Sequence, residues 1–341
     1  MVMIQSSDRV EFIDLAKGIC ILLVVFSHSA FDYGNRFDTA MTSFRMPLYF
    51  VLSGLFFKEY HGFGEFFVKK VNKLFIPFAF FYVLSAWVLA ALIYGGGGIN
   101  EHYFTSIWFE DFNGMPQGVW FLLCLFWVNI IAYIVTIIAK KSGYEIAVFS
   151  ALCFLLGFVG FMFGQHEVNV PLYIDSALTA IPFFCFGRIL CQYTKVLNTD
   201  TRHHINIVLA IACLLITYLI AYGKVNYREN NYQMIFPVVL ISGIAGTLGV
   251  LFFSKWLRWL PIVSYMGRYS IIVLCTHQLI IMPLHLACTK YEIHGLQEGL
   301  IVWAVTSFAC YLLIEPMRRL LPYVTAQKDA IKYKPKYNNN T

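Results

Sequence analysis

The sequence predicts an all-α protein that crosses a membrane about ten times, with both termini in the cytoplasm. Three observations predict it. Of the 341 residues, 59% are hydrophobic and only 13% are charged, about half the charged fraction of a soluble domain. Apolar runs long enough to span a bilayer recur along the whole chain, and the mean hydropathy is +0.66. The basic residues are distributed asymmetrically between the connectors.

Taken in order, the apolar runs place spans at 11–31, 43–58, 74–94, 118–139, 145–163, 172–191, 204–222, 234–254, 268–287 and 296–315. The first is a retained span, because Asp14 and Lys17 interrupt its apolar run in a way a cleaved leader does not tolerate. The second is short and contains Pro47 and Gly54, so a broken or tilted helix is expected there. Pro77, Pro182, Pro237 and Pro283 mark expected kinks. The connector 58–74 reads as a short basic amphipathic helix on the cytoplasmic surface, suited to anionic lipid or to the phosphates of a cytoplasmic cofactor. The connector 95–117 has no Lys or Arg. It is expected outside, either as a solvated loop or as a lining for an acceptor. After Pro322 the chain turns polar and basic. The expected organisation is a transmembrane domain over 1–322 and a short disordered tail over 323–341.

With the N-terminus inside, 20 of the 25 basic residues fall on cytoplasmic segments. The five on the other side are Arg36, Arg45, Lys224, Arg228 and Lys290. That split is a positive-inside signal. It also accounts for the formal charge of +6, which is therefore read as topology and not as a nucleic-acid footprint. The nine cysteines lie in or at the ends of apolar segments without metal-ligand spacing, as buried thiols do.

Chemistry concentrates on the first span. Asp14, Lys17 and His28 share one helical face, three and eleven residues apart. Lys17 and His28 are separated by roughly 16 Å along the axis. Ionisable groups in a membrane helix usually face a protein interior or a watery cavity, so this helix looks like one wall of a passage. More than one reading stands for each residue. His28 is a general base or an interfacial cap. Asp14 and Lys17 meet an anionic group entering from the cytoplasm, or neutralise each other. Arg45 holds a donor carbonyl or sugar hydroxyl beside His28, or anchors the span at the headgroups. His277, in the middle of the ninth span beside Thr276 and Gln278, is a relay, a ligand or a hydrogen-bonded structural histidine. His285 lies off its face, which makes a zinc pair improbable. Asp175, Arg188 and Glu315 are further candidates or boundary charges.

At these residues the chain resembles the acyltransferase-3 family of bacterial membrane proteins. Asp14-Leu-Ala-Lys17-Gly-Ile with His28, and Arg45-Met-Pro-Leu-Tyr-Phe-Val-Leu-Ser53-Gly54, are similar to the two N-terminal family motifs, in the form of the fucose-4-O-acetylase-like branch. Val119-Trp120-Phe121-Leu122, Gly267-Arg-Tyr-Ser270 through His277, and Ile314-Glu315-Pro316 are weaker echoes. Lys17 stands where many members carry Arg, without the bidentate fork.

The resemblance implies ten spans in a bacterial inner membrane. It implies transfer of an acyl group, usually acetyl, from cytoplasmic acyl-CoA to a hydroxyl of a surface glycan or its lipid-linked precursor, with His28 as the catalytic histidine. No metal is required, and no nucleic acid is a partner. The expected catalytic pair is His28 and Arg45. The expected donor- and acceptor-binding set is Asp14, Lys17, Ser53, Trp120 and His277. The competing reading is a secondary transporter of a sugar-like or anionic solute, in which Asp14, Lys17 and His28 line a substrate or proton path.

Overall fold

The computed structural model describes residues 10–29, 35–94, 118–194 and 203–333. The connector 95–117 and the last eight residues lie outside them. The described chain is almost entirely helical. In order it comprises α1 (Glu11–Ser27), α2 (Asn35–Phe44), α3 (Pro47–Leu55), α4 (Phe63–Lys70), α5 (Ile76–Tyr94), α6 (Trp120–Lys140) and α7 (Glu145–Gln165). There follow α8 (Ile174–Tyr193), α9 (His203–Ile220), α10 (Phe236–Leu257), α11 (Pro261–Arg268), α12 (Ser270–Lys290) and α13 (Gly295–Leu320). A two-stranded hairpin, β1 (Val225–Asn226) and β2 (Asn231–Tyr232), joins α9 to α10.

Among the described residues, eight helices are long and apolar enough to cross a membrane. They match the last eight expected spans. The first two differ. α1 has 17 residues, and the run at 43–58 is split between α2 and the nine-residue α3. The break falls at Arg45-Met46 because Pro47 occupies the first turn of α3, where a missing N–H costs nothing. Gly54 does not break the helix. It lets α3 approach α8.

The expected kinks divide by position. Pro182 and Pro283 sit inside α8 and α12, whereas Pro237 opens α10 and bends nothing. Pro77 has no N–H for the carbonyl one turn earlier. The chain answers with a wide π-turn, Val71–Phe75, joining α4 to α5.

Two pairs of glycines set the closest helix contacts. A Cβ on Gly18 would overlap the carbonyl of Val263 in α11, and one on Gly267 would overlap the carbonyl of Asp14 in α1. The same reciprocity joins α3 to α8: Gly54 lies on the Phe184 carbonyl, and Gly187 on that of Val51. Lipid offers little driving force between apolar helices, so small residues that let backbones meet supply the packing. α1 packs on α11 and also meets α10, α12 and α13. Other helix pairs are α9 with α10, α7 with α8, and α12 with α13.

The tail expected to be disordered from 323 is held as far as Ile331. Asn72 donates to the Ile331 carbonyl and accepts from the Ile331 N–H, both at 2.8 Å. The side chain thus pairs with the tail as a neighbouring strand would. Lys69 and Lys73 approach Asp329 at 2.6 and 3.6 Å. The Lys69 hydrogen bond, then the charges of both lysines, hold the Asp329 carboxyl below the usual carboxylate range. A lowered folded value stabilises the contact above about pH 4, and that stability is lost as the pH falls through the folded value. Asp329→Asn is expected to make trypsin cleave within 322–333 about two- to fivefold faster at neutral pH, read by mass spectrometry of released fragments. Acid should loosen the wild-type tail in the same way.

Candidate active site

α1 is the shared wall of two cavities. Lys17, Ile21, Val24 and His28 follow one another at intervals of four, three and four residues, so they form one stripe. His28 caps the C-terminal end of α1. Val24, Ser27 and His28 line a cavity of about 330 Å³. Lys17 and Ile21 line a second, of about 250 Å³. Leu274 of α12 lines both. The expected continuous passage is therefore two chambers placed end to end. Ile21, Val24 and Leu274, all in the buried apolar core, lie where the two linings adjoin.

The His28 chamber is polar. Asp38 and Thr42 come from one face of α2, Arg45 from the α2–α3 break, and Trp120 from the start of α6. The hairpin contributes Lys224 and Arg228. Its position is fixed by side chains that replace missing backbone partners. The Asn226 carboxamide oxygen accepts from the N–H groups of Arg228 and Glu229, which turns the loop. Asn230 takes a left-handed φ of 49°. It accepts from Thr179 at 2.9 Å and donates to the Gly160 carbonyl at 2.8 Å. Tyr227 donates to the Ser43 carbonyl at 3.3 Å, and burial pushes its phenol up, so it stays a neutral donor. Arg45 and Arg228 line the chamber together with His28.

Trp120 is held edge-on by Phe121 and tilted against Tyr173, at ring distances of 5.9 and 5.7 Å. Leu172 and Tyr173 both adopt left-handed backbone, with φ of 66° and 60°. Such conformations cost of order 1–3 kcal/mol each and persist where the surroundings over-determine them.

His277 is fully buried, and its ring centroid lies 5.5 Å from that of His28. Its Nδ1 faces the Val273 carbonyl at 3.1 Å, so Nδ1 carries the proton and Nε2 presents a lone pair. Among the described residues Nε2 has no hydrogen-bond partner. Gly118 makes this possible, since a Cβ there would strike the His277 ring and the Leu274 carbonyl.

The Lys17 chamber is narrower and more apolar. Tyr49, Ser53, Phe121 and Ser270 line it with Lys17. Tyr49 donates to the Lys17 carbonyl at 3.0 Å, and Ser53 donates to buried Asn129 at 3.1 Å. Outside this lining, the guanidinium groups of Arg268 and Arg318 lie over the Tyr269 ring, at 5.5 and 5.7 Å from its centre.

The structure thus gathers His28, Arg45 and Trp120 in one chamber and Lys17 and Ser53 in the other, with His277 beside His28. Asp14 lines neither. Its carbonyl sits at the α1–α11 crossing. Arg188 lines neither chamber, with Thr136 and Glu145 as partners at 2.6 and 2.7 Å. Glu315 binds Arg318 and Arg319 at the surface. Asp175 is buried but lines neither chamber.

Lys224 and Arg228 were missing from the sequence-derived site. Their signal was present, because both are among the five cations that the expected topology puts on its sparsely charged side, and with Arg45 they line one cavity.

A sequence model described as an acyltransferase domain matches residues 10–315. No characterised protein and no solved structure matches the chain. Nothing in the fold or the match favours the solute-transport alternative. The match runs from the first helix through the thirteenth and takes in both chambers: this chain belongs to the acyltransferase-3 family, and it is a membrane enzyme that transfers acyl groups.

Proposed function

We propose that the enzyme moves an acyl group, most simply acetyl, from cytoplasmic acyl-CoA to a hydroxyl of a cell-surface glycan or its lipid-linked precursor. The family's fucose-4-O-acetylase-like branch is the expected setting, in a bacterial inner membrane. α1 and the α2–α3 pair complete ten crossings, with both termini cytoplasmic. The observation that carries the reading is the pairing of chambers along α1, a polar one at His28 and a narrow one at Lys17.

The narrow chamber suits a thioester arm. Its walls are mostly apolar, Lys17 offers a cation to the donor's polar groups, and the Arg268–Tyr269–Arg318 cluster suits phosphates and an adenine ring. The polar chamber suits a sugar, with Trp120 as an apolar platform and Asp38, Thr42 and Asn226 to receive and donate hydrogen bonds.

In the reaction, the His28 imidazole accepts the proton of the acceptor hydroxyl as that oxygen attacks the thioester carbonyl. Arg45 stabilises the resulting oxyanion, with Arg228 beside it. The tetrahedral intermediate collapses, the carbon–sulfur bond breaks, and the imidazolium returns the proton to the thiolate. The products are the ester and free CoA. His277, with its lone pair next to His28, orients the ring or the incoming hydroxyl.

Mass analysis of the host's surface glycan with and without this gene tests the proposal. Loss of one acyl increment per acceptor unit supports it, and an unchanged glycan refutes it. Lys17→Ala is expected to raise the KM for acetyl-CoA about tenfold or more, the value of a lost charge-assisted contact, with kcat changed far less. Initial rates in inverted membrane vesicles read the difference.

A further inference from the structure

We propose that Glu298 and His285 are positioning residues for His28, holding the end of α1 through the His28 carbonyl. The inference rests on the acyl-transfer reading above. His285 lies on α12 and Glu298 on α13, thirteen residues away in the chain. His285 Nδ1 meets Glu298 Oε1 at 2.7 Å, and His285 Nε2 faces the His28 carbonyl oxygen at 3.4 Å. Carboxylate, imidazole and peptide carbonyl thus form one line that ends on the residue whose side chain enters the polar chamber.

The physical need is plain. The last carbonyls of a helix have no partner within it, and His28 follows the last turn of α1. A positively charged donor at a helix C-terminus satisfies such a carbonyl and opposes the negative end of the helix dipole. Both ring nitrogens of His285 face acceptors. A ring bearing protons on both satisfies the two contacts, whereas a neutral ring satisfies one. Glu298 fixes the ring plane, as an orienting carboxylate does for a histidine elsewhere in enzymes.

A second contact from α13 grips the same helix. Trp303 Nε1 donates to the Leu22 carbonyl at 3.3 Å, and its ring stands edge-on to Phe26 at 5.8 Å. Trp303 directly, and Glu298 through His285, therefore both act on the C-terminal half of α1. Trp303 holds the body of the helix, and the Glu298–His285 pair holds its tip. A tip free to unwind would move the imidazole of His28 with it. Misplacement of a catalytic group by about 1 Å costs on the order of a hundredfold in rate.

The test uses inverted membrane vesicles of the host, radiolabelled acetyl-CoA on the cytoplasmic face, and label recovered in the endogenous surface glycan. His285→Ala is expected to lower the maximal rate about tenfold or more, with the KM for acetyl-CoA within about twofold of wild type and protein in the membrane at the wild-type level. His285→Gln keeps an N–H for the carbonyl and is expected to recover most of the rate. If His285→Ala does not reach the membrane, Glu298→Gln is read in its place, with a smaller fall in maximal rate expected and the same unchanged KM. Wild-type rates in His285→Ala, or equal losses in the Ala and Gln variants, overturn the positioning role. His28→Ala separates the two levels. An inactive His28→Ala beside a fully active His285→Ala removes the positioning role alone, whereas a fully active His28→Ala removes the catalytic reading and the positioning role with it.

Discussion

His28→Ala is expected to reduce acyl transfer by about two to four orders of magnitude, the span of a general base, while the protein remains in the membrane at its normal level. The side chain lines the polar chamber at the tip of α1, with the His277 ring 5.5 Å away as its neighbour on α12. The loss of acylation is expected to far exceed any loss of protein. Arg45→Ala is expected to cost about two to three orders of magnitude, as loss of an oxyanion donor does. Arg45→Lys should recover only part of that, because the ammonium is a compact point charge without the planar fork. Radiolabelled acetyl transfer in vesicles, normalised to protein by immunoblot, gives both numbers. Near-normal transfer in His28→Ala would assign the base to another group.

The second large effect is on folding. Gly267→Val and Gly18→Leu are expected to deplete folded protein almost completely. Each new side chain would begin inside a backbone carbonyl of the facing helix, and a carbonyl in a helix cannot swing aside as a flexible side chain can. Overpacking ordinarily costs about 1–3 kcal/mol. Forcing two membrane helices apart along their crossing belongs at or above the upper end. Gly54→Leu and Gly187→Val should behave likewise at the α3–α8 contact. Gly64→Ala is the matched control, since its neighbour is the end of the Tyr333 ring, which can move. The measurement is the monodisperse fraction in detergent by size-exclusion chromatography. Equal yields from Gly64→Ala and Gly267→Val would show that the crossing tolerates separation.

Much of this architecture can be read from residue order alone, and the reasons differ by element. The stripe on α1 was legible because helical periodicity is strict: Lys17 and His28 had to share a face, and both line chambers. Asp14 obeys the same arithmetic but sits where α11 crosses, and no local pattern announces a crossing partner 250 residues away. The split of the second run into α2 and α3 was half visible. Pro47 marked the break, yet the polar face of α2, with Asp38 and Thr42, was hidden inside a connector. Lys224 and Arg228 were visible as charges on the sparse side of the topology, but a hairpin folding back over the site depends on Asn226 and Asn230, whose partners are scattered along the chain. The Glu298–His285 contact joins two helices at their ends, so neither residue shows any pairing along its own helix.

The apolar junction along α1 carries a consequence for the cell. Ile21, Val24 and Leu274 place hydrocarbon where the linings of the two chambers adjoin. An enzyme with a charged stripe running most of the way across its first helix would otherwise short-circuit the ion gradients that the same bilayer maintains. Hydrocarbon at that point is expected to part the two polar ends of the stripe, so that chemistry at both faces leaves the membrane its voltage.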